Sequence, residues 1–192
     1  MIKVAIGLLI ILLLMVSQSN AQEISNPPLK MVTPFSSGEK LTYQVKYGFL
    51  VGGITTFTLS DTMYKSKPVF HARAIGQTSG IANTIYGVKD IYESWFDKNT
   101  TLPYKQIRNI KEGHYTLYNE AIYNRRNNTV YSKLSGEHQV PEKILDLCST
   151  FYYIRRVDFS KMKEGDILFV NMYFADEVYP FYLRYSGKET IR

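Results

Sequence analysis

Cysteine, histidine and tryptophan are all scarce in this chain of 192 residues. The one cysteine, Cys148, excludes an intramolecular disulfide, so stability has to come from a hydrophobic core. The 3 histidines, His71, His114 and His138, do not have the spacing of zinc ligands. The sequence also lacks the P-loop, GxGxxG and GxSxG motifs. We therefore predict no metal site, no cofactor and no enzymatic activity.

Long hydrophobic runs are missing as well, except at the N-terminus. There, Lys3 precedes an apolar stretch from Val4 to Val16, and small residues end at Ala21. This pattern predicts a secretory signal peptide over residues 1–21. The stretch is shorter than the roughly 20 residues of a membrane span, so we expect no membrane span after cleavage. The exported protein is expected to be periplasmic or associated with the outer membrane.

A concentrated basic surface is also missing. Basic residues exceed acidic ones by 23 to 17, but they are scattered along the chain. A nucleic-acid-binding protein usually collects its basic residues on one face, so we exclude nucleic acid as a partner. Residues 22–33 contain Pro27-Pro28 and no periodicity, which predicts an exposed leader before a single β-rich domain over residues 34–192.

Alternation of apolar and polar residues is what the chain does contain. Leu41, Tyr43, Val45 and Tyr47 alternate with polar residues, which is typical of a half-buried strand. The glycines that follow, at 48, 52 and 53, indicate a bend before a return strand. Further strands are predicted over residues 54–59, 69–77, 88–96, 104–111, 114–124, 129–134, 167–174 and 178–185, with a short helix ending near residue 86 and a polar loop over 135–141.

One longer helix is predicted, from Glu142 to Val157. Five apolar residues recur at helical spacing and predict one buried stripe: Ile144, Leu147, Cys148, Phe151 and Ile154. Five polar residues are predicted on the other face: Glu142, Asp146, Ser149, Tyr153 and Arg156. Asp146 and Arg155 complement the helix dipole, and we expect them to hold the helix in place. The fold class is therefore mainly β, a strongly curved antiparallel sheet or a barrel-like fold with one amphipathic helix packed on it.

The chain has 16 tyrosines, many of them on predicted strands, and these aromatic residues suggest a function. We expect a non-enzymatic protein that binds a lipid or another amphipathic small molecule in a β-groove, with Tyr43 and Trp95 as wall residues. One alternative is a carbohydrate-binding or carbohydrate-processing envelope protein that stacks sugars on its tyrosines. Such an enzyme needs facing carboxylates, and the pair Asp90 and Glu93 is expected on opposite faces of a strand. A second alternative is a structural subunit that pairs its sheet edge with an envelope protein partner.

Two segments resemble a known family. The first is Phe35-x-x-Gly38-Glu39-x-Leu41-x-Tyr43-x-Val45, followed by Gly48 and Gly52-Gly53. The second is Asp146-x-Cys148-Ser149-x-Phe151-Tyr152-Tyr153-Ile154-Arg155, followed by Gly165-Asp166. Together they are similar to a family of exported Gram-negative bacterial proteins classed as a domain of unknown function. The resemblance implies an antiparallel, barrel-like β-fold and an envelope location, and it assigns no catalytic residue.

The C-terminus is expected to be a truncation point. Ser186-Gly187 is a turn signal, and the few residues after it could begin another strand. Members of the family that the chain resembles run on through further strands. We therefore expect either a truncated domain or an exposed edge strand at this end.

Overall fold

The computed structural model describes residues 22–48 and 50–190. The predicted signal peptide, residues 1–21, lies outside the described residues. The strands and helices have the following bounds: β1 Glu23–Ile24, β2 Lys40–Tyr47, β3 Leu50–Tyr64, β4 Lys67–Thr78, α1 Gly80–Ile85, β5 Lys89–Asp97, β6 Pro103–Glu112, β7 Tyr115–Asn124, β8 Thr129–Ser132, β9 Gly136–Gln139, α2 Leu147–Arg156, β10 Ile167–Phe174 and β11 Glu177–Arg184.

Eight strands, β2 to β9, form an antiparallel meander in which each strand pairs with the next one along the chain. In the described part of the chain β2 and β9 do not pair with each other, so the sheet is open and is not closed into a barrel. The register shifts after Val45 and after Trp95 mark bulges, which bend a sheet locally. The prediction of a mainly β fold with an antiparallel sheet is confirmed.

The last two predicted strands belong to a second, smaller sheet. β10 pairs with β11 in antiparallel fashion and with β1 in parallel fashion. The predicted exposed leader is therefore partly attached to the domain, since Ile24 aligns with Leu168 and Pro27 is buried. A strand of two residues is too short to show alternation, which is why the sequence did not reveal it.

The polar loop predicted over residues 135–141 is also wrong in part, because residues 136–139 form β9. Thr129 to Ser132 of β8 pair in order with Gln139 to Gly136. Strand β9 has alternate half-buried and exposed residues but almost no apolar side chain. Strand β9 is held by its pairing with β8, and this pairing leaves no hydrophobic pattern in the sequence.

Helix α2 is shorter than predicted, since it starts at Leu147. The Asp146 side chain caps it by accepting a hydrogen bond from the Ser149 amide at 2.7 Å, and the Ser149 hydroxyl in return accepts a hydrogen bond from the Asp146 amide. The residues before the cap pair with β10 instead, because the Leu145 amide donates to Asn171 and the Tyr173 amide donates to Leu145. This strand-like pairing prevents an earlier start of the helix.

The buried face of α2 also differs from the prediction. The buried helix residues are Cys148, Ser149, Thr150, Tyr152 and Arg156, and two of these were expected to face water. Ile144 lies before the helix, in a core cluster with Tyr123, Val140 and Tyr173. Helix α2 contacts both the large sheet and β10, so a single apolar stripe does not describe its environment.

Polar contacts at both ends fix α2 to the large sheet. At the start, the buried carboxylate of Asp146 accepts a 2.5 Å hydrogen bond from the Ser94 hydroxyl on β5. At the end, the Arg155 guanidinium donates two hydrogen bonds to the Glu39 carboxylate, at 2.6 and 2.8 Å. Between these contacts, the ring of Tyr152 packs against Phe35 and Phe96. The helix is thereby held in one position over strands β2 to β5.

Candidate functional site

A groove of about 550 Å³ lies between α2 and the large sheet. Strands β2 to β5 supply one wall, α2 supplies another, and β10 and β11 contribute at the far side. Its walls are mainly aliphatic and aromatic, with Val45, Phe57, Tyr92, Phe151, Ile154 and Phe181 among the lining residues. Its volume lies within the roughly 300–1,000 Å³ of most small-molecule sites.

Small residues on the covered face of the sheet create this space. Ala74 and Gly76 line the groove from alternate positions of β4, and therefore point to the same face. A Cβ atom added at Gly76 would have its nearest neighbour, the hydroxyl of Thr55, at 3.9 Å. Larger side chains at these positions would occupy the groove, so the volume is a direct consequence of the sequence of β4.

Aromatic rings form the wall next to β2. Phe57 and Phe151 are stacked, with ring centroids 4.2 Å apart and an angle of 16° between the planes. The ring of Tyr43 meets both of them edge-on, at 6.2 and 6.3 Å. Tyr43 is half-exposed and stands at the edge of the groove, in contact with two of its lining residues.

Trp95, the second predicted wall residue, lies on the opposite face of the sheet. Its indole ring stacks on the ring of His71 at 4.3 Å, and the Lys105 ammonium lies 5.2 Å from its centroid. His71 in turn forms a 2.7 Å hydrogen bond with Glu93. Trp95 does not line the groove, and this prediction has to be corrected. Alternation separates the two faces of β5 but does not show which face α2 covers.

Few polar groups line the groove. The Thr150 side chain on α2 is only 4 % exposed, and its hydroxyl has no hydrogen-bond partner among the described residues. Such a buried, unpaired hydroxyl costs roughly 1–3 kcal/mol. Asp90 and Tyr92 also line the groove. Burial, followed by the nearby Asp90 carboxylate, raises the pKa of Tyr92, so this phenol stays protonated.

Buried ionisable groups lie directly behind the groove wall. Burial raises the pKa of Asp146 to about 6, although hydrogen bonds from Ser149 and Ser94 act in the other direction. Burial, followed by the Asp146 charge, also raises the pKa of the Cys148 thiol. Cys148 is almost fully buried, as expected for a small hydrophobic residue. A thiol in this state is a poor nucleophile.

A serine, a histidine and an aspartate meet at another place, close to β9 and β10. The Ser135 hydroxyl lies 2.8 Å from His138 Nε2 and donates to Asp176 at 2.7 Å. In a hydrolase triad the carboxylate orients the histidine ring, whereas here it accepts from the serine. Asp176 also accepts from Asn119 and Tyr173. Burial alone would raise its pKa, but hydrogen bonds, including those from Ser135 and Tyr173, hold the pKa of Asp176 below its usual value. The arrangement ties the β10–β11 turn to the sheet.

Asp90 and Glu93 lie on opposite faces of the sheet, as the sequence predicts. Asp90 lines the groove, whereas Glu93 lies on the opposite face with His71. Among residues 22–48 and 50–190 no group of three potential metal ligands occurs. None of the residues that line the groove was predicted as a wall residue from the sequence, and for Met172 and Phe181 no local signal could have done so. Their position depends on how the small sheet packs on α2, and no local pattern encodes that packing.

The described part of the chain is thus a mainly β protein with a helix-covered apolar groove. In comparisons with known proteins, residues 42–192 match the family model described as protein of unknown function (DUF3108). The chain belongs to this family. Neither the comparison with curated proteins nor the comparison with solved structures gave a match. No helix in the described residues has the length and apolar character needed to cross a membrane.

Proposed function

We propose that this protein is a non-enzymatic binder of an amphipathic small molecule, whose acyl or other apolar portion occupies the groove between α2 and the large sheet. The observation that carries this proposal is the groove itself, about 550 Å³ in volume and lined mainly by aliphatic and aromatic side chains. Apolar walls with few polar groups are typical of sites that bind apolar molecules.

The hydroxyl of Thr150 supports an amphipathic rather than a purely apolar ligand. The Thr150 side chain lines the groove, and its hydroxyl is buried and has no partner among the described residues. Rotation of the Thr150 side chain about its Cα–Cβ bond would turn this hydroxyl towards the groove. A ligand with a carbonyl, hydroxyl or ester oxygen next to its apolar chain would then satisfy the donor, and binding would relieve the cost of the unpaired group. The ligand's polar end would then lie close to the first turns of α2.

The proposal places the protein in the cell envelope. Support for this location comes from the sequence pattern of residues 1–21, which is typical of a cleaved signal peptide. Lipids and other amphipathic molecules are abundant in an envelope, so a carrier or sensor of such molecules would meet its ligand there. The raised pKa of Cys148 and the apolar character of the groove favour binding over catalysis.

The first experiment blocks the groove. Gly76→Leu would place an isobutyl group in the space that Ala74 and Gly76 leave open, whereas the control Gly76→Ala adds only one methyl group. Binding of a fluorescent fatty acid would be measured in solution by titration. We expect Gly76→Leu to weaken binding at least roughly tenfold, since occupied volume excludes the chain, and Gly76→Ala to change it little. The proposal fails if the wild-type protein does not bind the probe, or if Gly76→Leu binds it equally well.

A second variant tests the polar contact. Thr150→Val keeps the shape of the side chain and removes the hydroxyl. Without ligand, this variant should be more stable than the wild type by about 1 kcal/mol, because a buried unpaired group is lost. It should bind a fatty acid or ester less tightly, by roughly fivefold, while its affinity for an alkane-like probe stays the same. Equal losses for both probes would contradict the assigned contact.

A further inference from the structure

Apolar side chains project into solvent around one end of the groove. We define the rim patch as Val45, Ile81, Ile85 and Tyr86, all of which are exposed. Ile81 and Ile85 on α1 are 76 and 80 % exposed. They are four residues apart and therefore lie on one face of the helix. A helix on a protein surface normally turns its apolar face towards the core. In α1 the face with Ile81 and Ile85 points towards solvent instead.

The rim patch is attached directly to groove-lining residues. The amide of Ser79, which precedes α1, donates to the Gly52 carbonyl at 3.2 Å. The Thr78 hydroxyl bonds to the Asn83 side chain and to the Tyr86 carbonyl, at 3.0 and 3.3 Å. Gly52 and Thr78 both line the groove, as does Val45 of the patch. The exposed apolar surface is therefore continuous with the opening of the groove.

Lysines surround this end of the sheet. The described residues at this end of the sheet belong to the segments 44–48, 50–54, 76–91 and 109–117. Within them the exposed side chains of the types Asp, Glu, Lys and Arg are all lysines: Lys46, Lys89 and Lys111. The two acids there, Asp90 and Glu112, are half-buried, and Asp90 accepts a hydrogen bond from the Lys111 amide. Apolar side chains surrounded by exposed lysines are complementary to a bilayer surface with anionic headgroups.

We propose that the rim patch docks on an anionic lipid bilayer, with Ile81, Ile85 and Tyr86 inserted at the boundary between headgroups and acyl chains. The groove opening then faces the membrane, so that an acyl chain can pass between bilayer and groove. This inference extends the proposed function, and its test measures docking separately from binding in the groove. A second copy of the chain or a protein partner would be the competing occupant of the patch.

The test is flotation with lipid vesicles. Exported protein is purified from the soluble fraction and its N-terminus is determined by mass spectrometry, because a retained segment 1–21 would itself enter bilayers. Vesicles of zwitterionic lipid alone, or with one third anionic phosphatidylglycerol, are mixed with wild type, with Ile81→Ser/Ile85→Ser, and with the control Val32→Ser/Met63→Ser. The control residues are 79 and 61 % exposed, and Met63 lies at the other end of β3.

We expect the wild type to bind the anionic vesicles, and Ile81→Ser/Ile85→Ser to lower the partition coefficient at least roughly tenfold. The control variant should bind as the wild type does. Lys46→Gln/Lys89→Gln should weaken binding to anionic vesicles by roughly fivefold per lysine and leave binding to zwitterionic vesicles unchanged. High salt should have the same effect as the lysine changes.

Three results would overturn docking on lipid. The wild type could fail to bind vesicles, or Ile81→Ser/Ile85→Ser could bind as tightly as the control. Light scattering could also show a wild-type dimer that Ile81→Ser/Ile85→Ser converts to a monomer, which would assign the patch to a second copy. A failure of groove binding can be distinguished from a failure of docking, because Gly76→Leu blocks the groove but should still dock on vesicles. Ile81→Ser/Ile85→Ser should still bind the soluble fatty acid probe.

Discussion

The contact between Glu39 and Arg155 makes the sharpest prediction about stability. Two hydrogen bonds, at 2.6 and 2.8 Å, join the carboxylate and the guanidinium. The two side chains are only 18 and 25 % exposed. At an effective dielectric constant near 20, unit charges about 4 Å apart attract by roughly 4 kcal/mol. Desolvation of both groups opposes this attraction, so we expect a net coupling of about 1–2 kcal/mol.

A double-mutant cycle measures this coupling. Glu39→Gln keeps the shape of the side chain and removes its charge. Arg155→Met keeps an apolar stem over the rings of Phe35, Phe151 and Tyr152, which the guanidinium now covers. Urea unfolding of the wild type, both single variants and the double variant would be followed by circular dichroism. Each single change should lower the free energy of unfolding by about 2 kcal/mol, and the double change should cost less than their sum.

The pair Asp61 and Lys98 provides the matched control. Its nitrogen and oxygen are also close, at 2.6 Å, but the side chains are 55 and 33 % exposed. An exposed ion pair contributes about 0.2–1 kcal/mol, and salt screens it more strongly than a half-buried pair. If the coupling between Glu39 and Arg155 is no larger than that in the Asp61→Asn/Lys98→Met cycle, or vanishes in 1 M salt to the same extent, our account of how α2 is held is wrong.

Two further predictions concern Asp146 and Gly53. The pKa of Asp146 is raised from 3.8 to about 6 by burial, so the folded state holds a proton that the unfolded state releases between these values. Stability should therefore fall as pH rises from about 4 to 6, by at most about 3 kcal/mol. In urea melts Asp146→Asn should remove most of this slope, and an unchanged slope would contradict the assignment. A Cβ atom at Gly53 would lie 2.7 Å from the Gln77 carbonyl oxygen. Gly53→Ala should therefore lower the free energy of unfolding by about 1–3 kcal/mol, whereas Gly52→Ala should change it by less than about 0.5 kcal/mol. Equal urea midpoints for these two variants would refute the predicted clash.

Local patterns predicted most of the large sheet. Phe70, Ala72 and Ala74 alternate with polar residues, and the structure places them together in the core. The turn between β3 and β4 also has a local origin, since Lys65 and Ser66 there have the positive φ angles of a tight hairpin turn. Alternation can be recognised within a single strand, so it predicts the strand without knowledge of what the strand packs against.

Features that depend on distant partners could not be predicted in this way. Helix α2 starts late because Leu145 pairs with β10, more than 20 residues further along the chain. The same holds for the site. Tyr43 contacts two residues that line the groove. Trp95 lies on the other face, which could not be predicted because the sequence does not show which face of β5 the helix covers. Met172 and Phe181 reach the groove only through the packing of the second sheet.

The two segments that carry the family resemblance meet in space, and their meeting point explains the groove. Phe35 packs on Tyr152 at 4.8 Å, and Glu39 binds Arg155 at the end of the same helix. These contacts set the distance between α2 and the first strands of the sheet, and Phe151 stacks on Phe57 at that distance. A groove with small residues beneath it would collapse if the helix could move inwards. The pair of Glu39 and Arg155 therefore has a consequence for binding as well as for stability: Glu39→Gln should loosen the aromatic wall and weaken binding of the fatty acid probe even at temperatures where the variant remains folded.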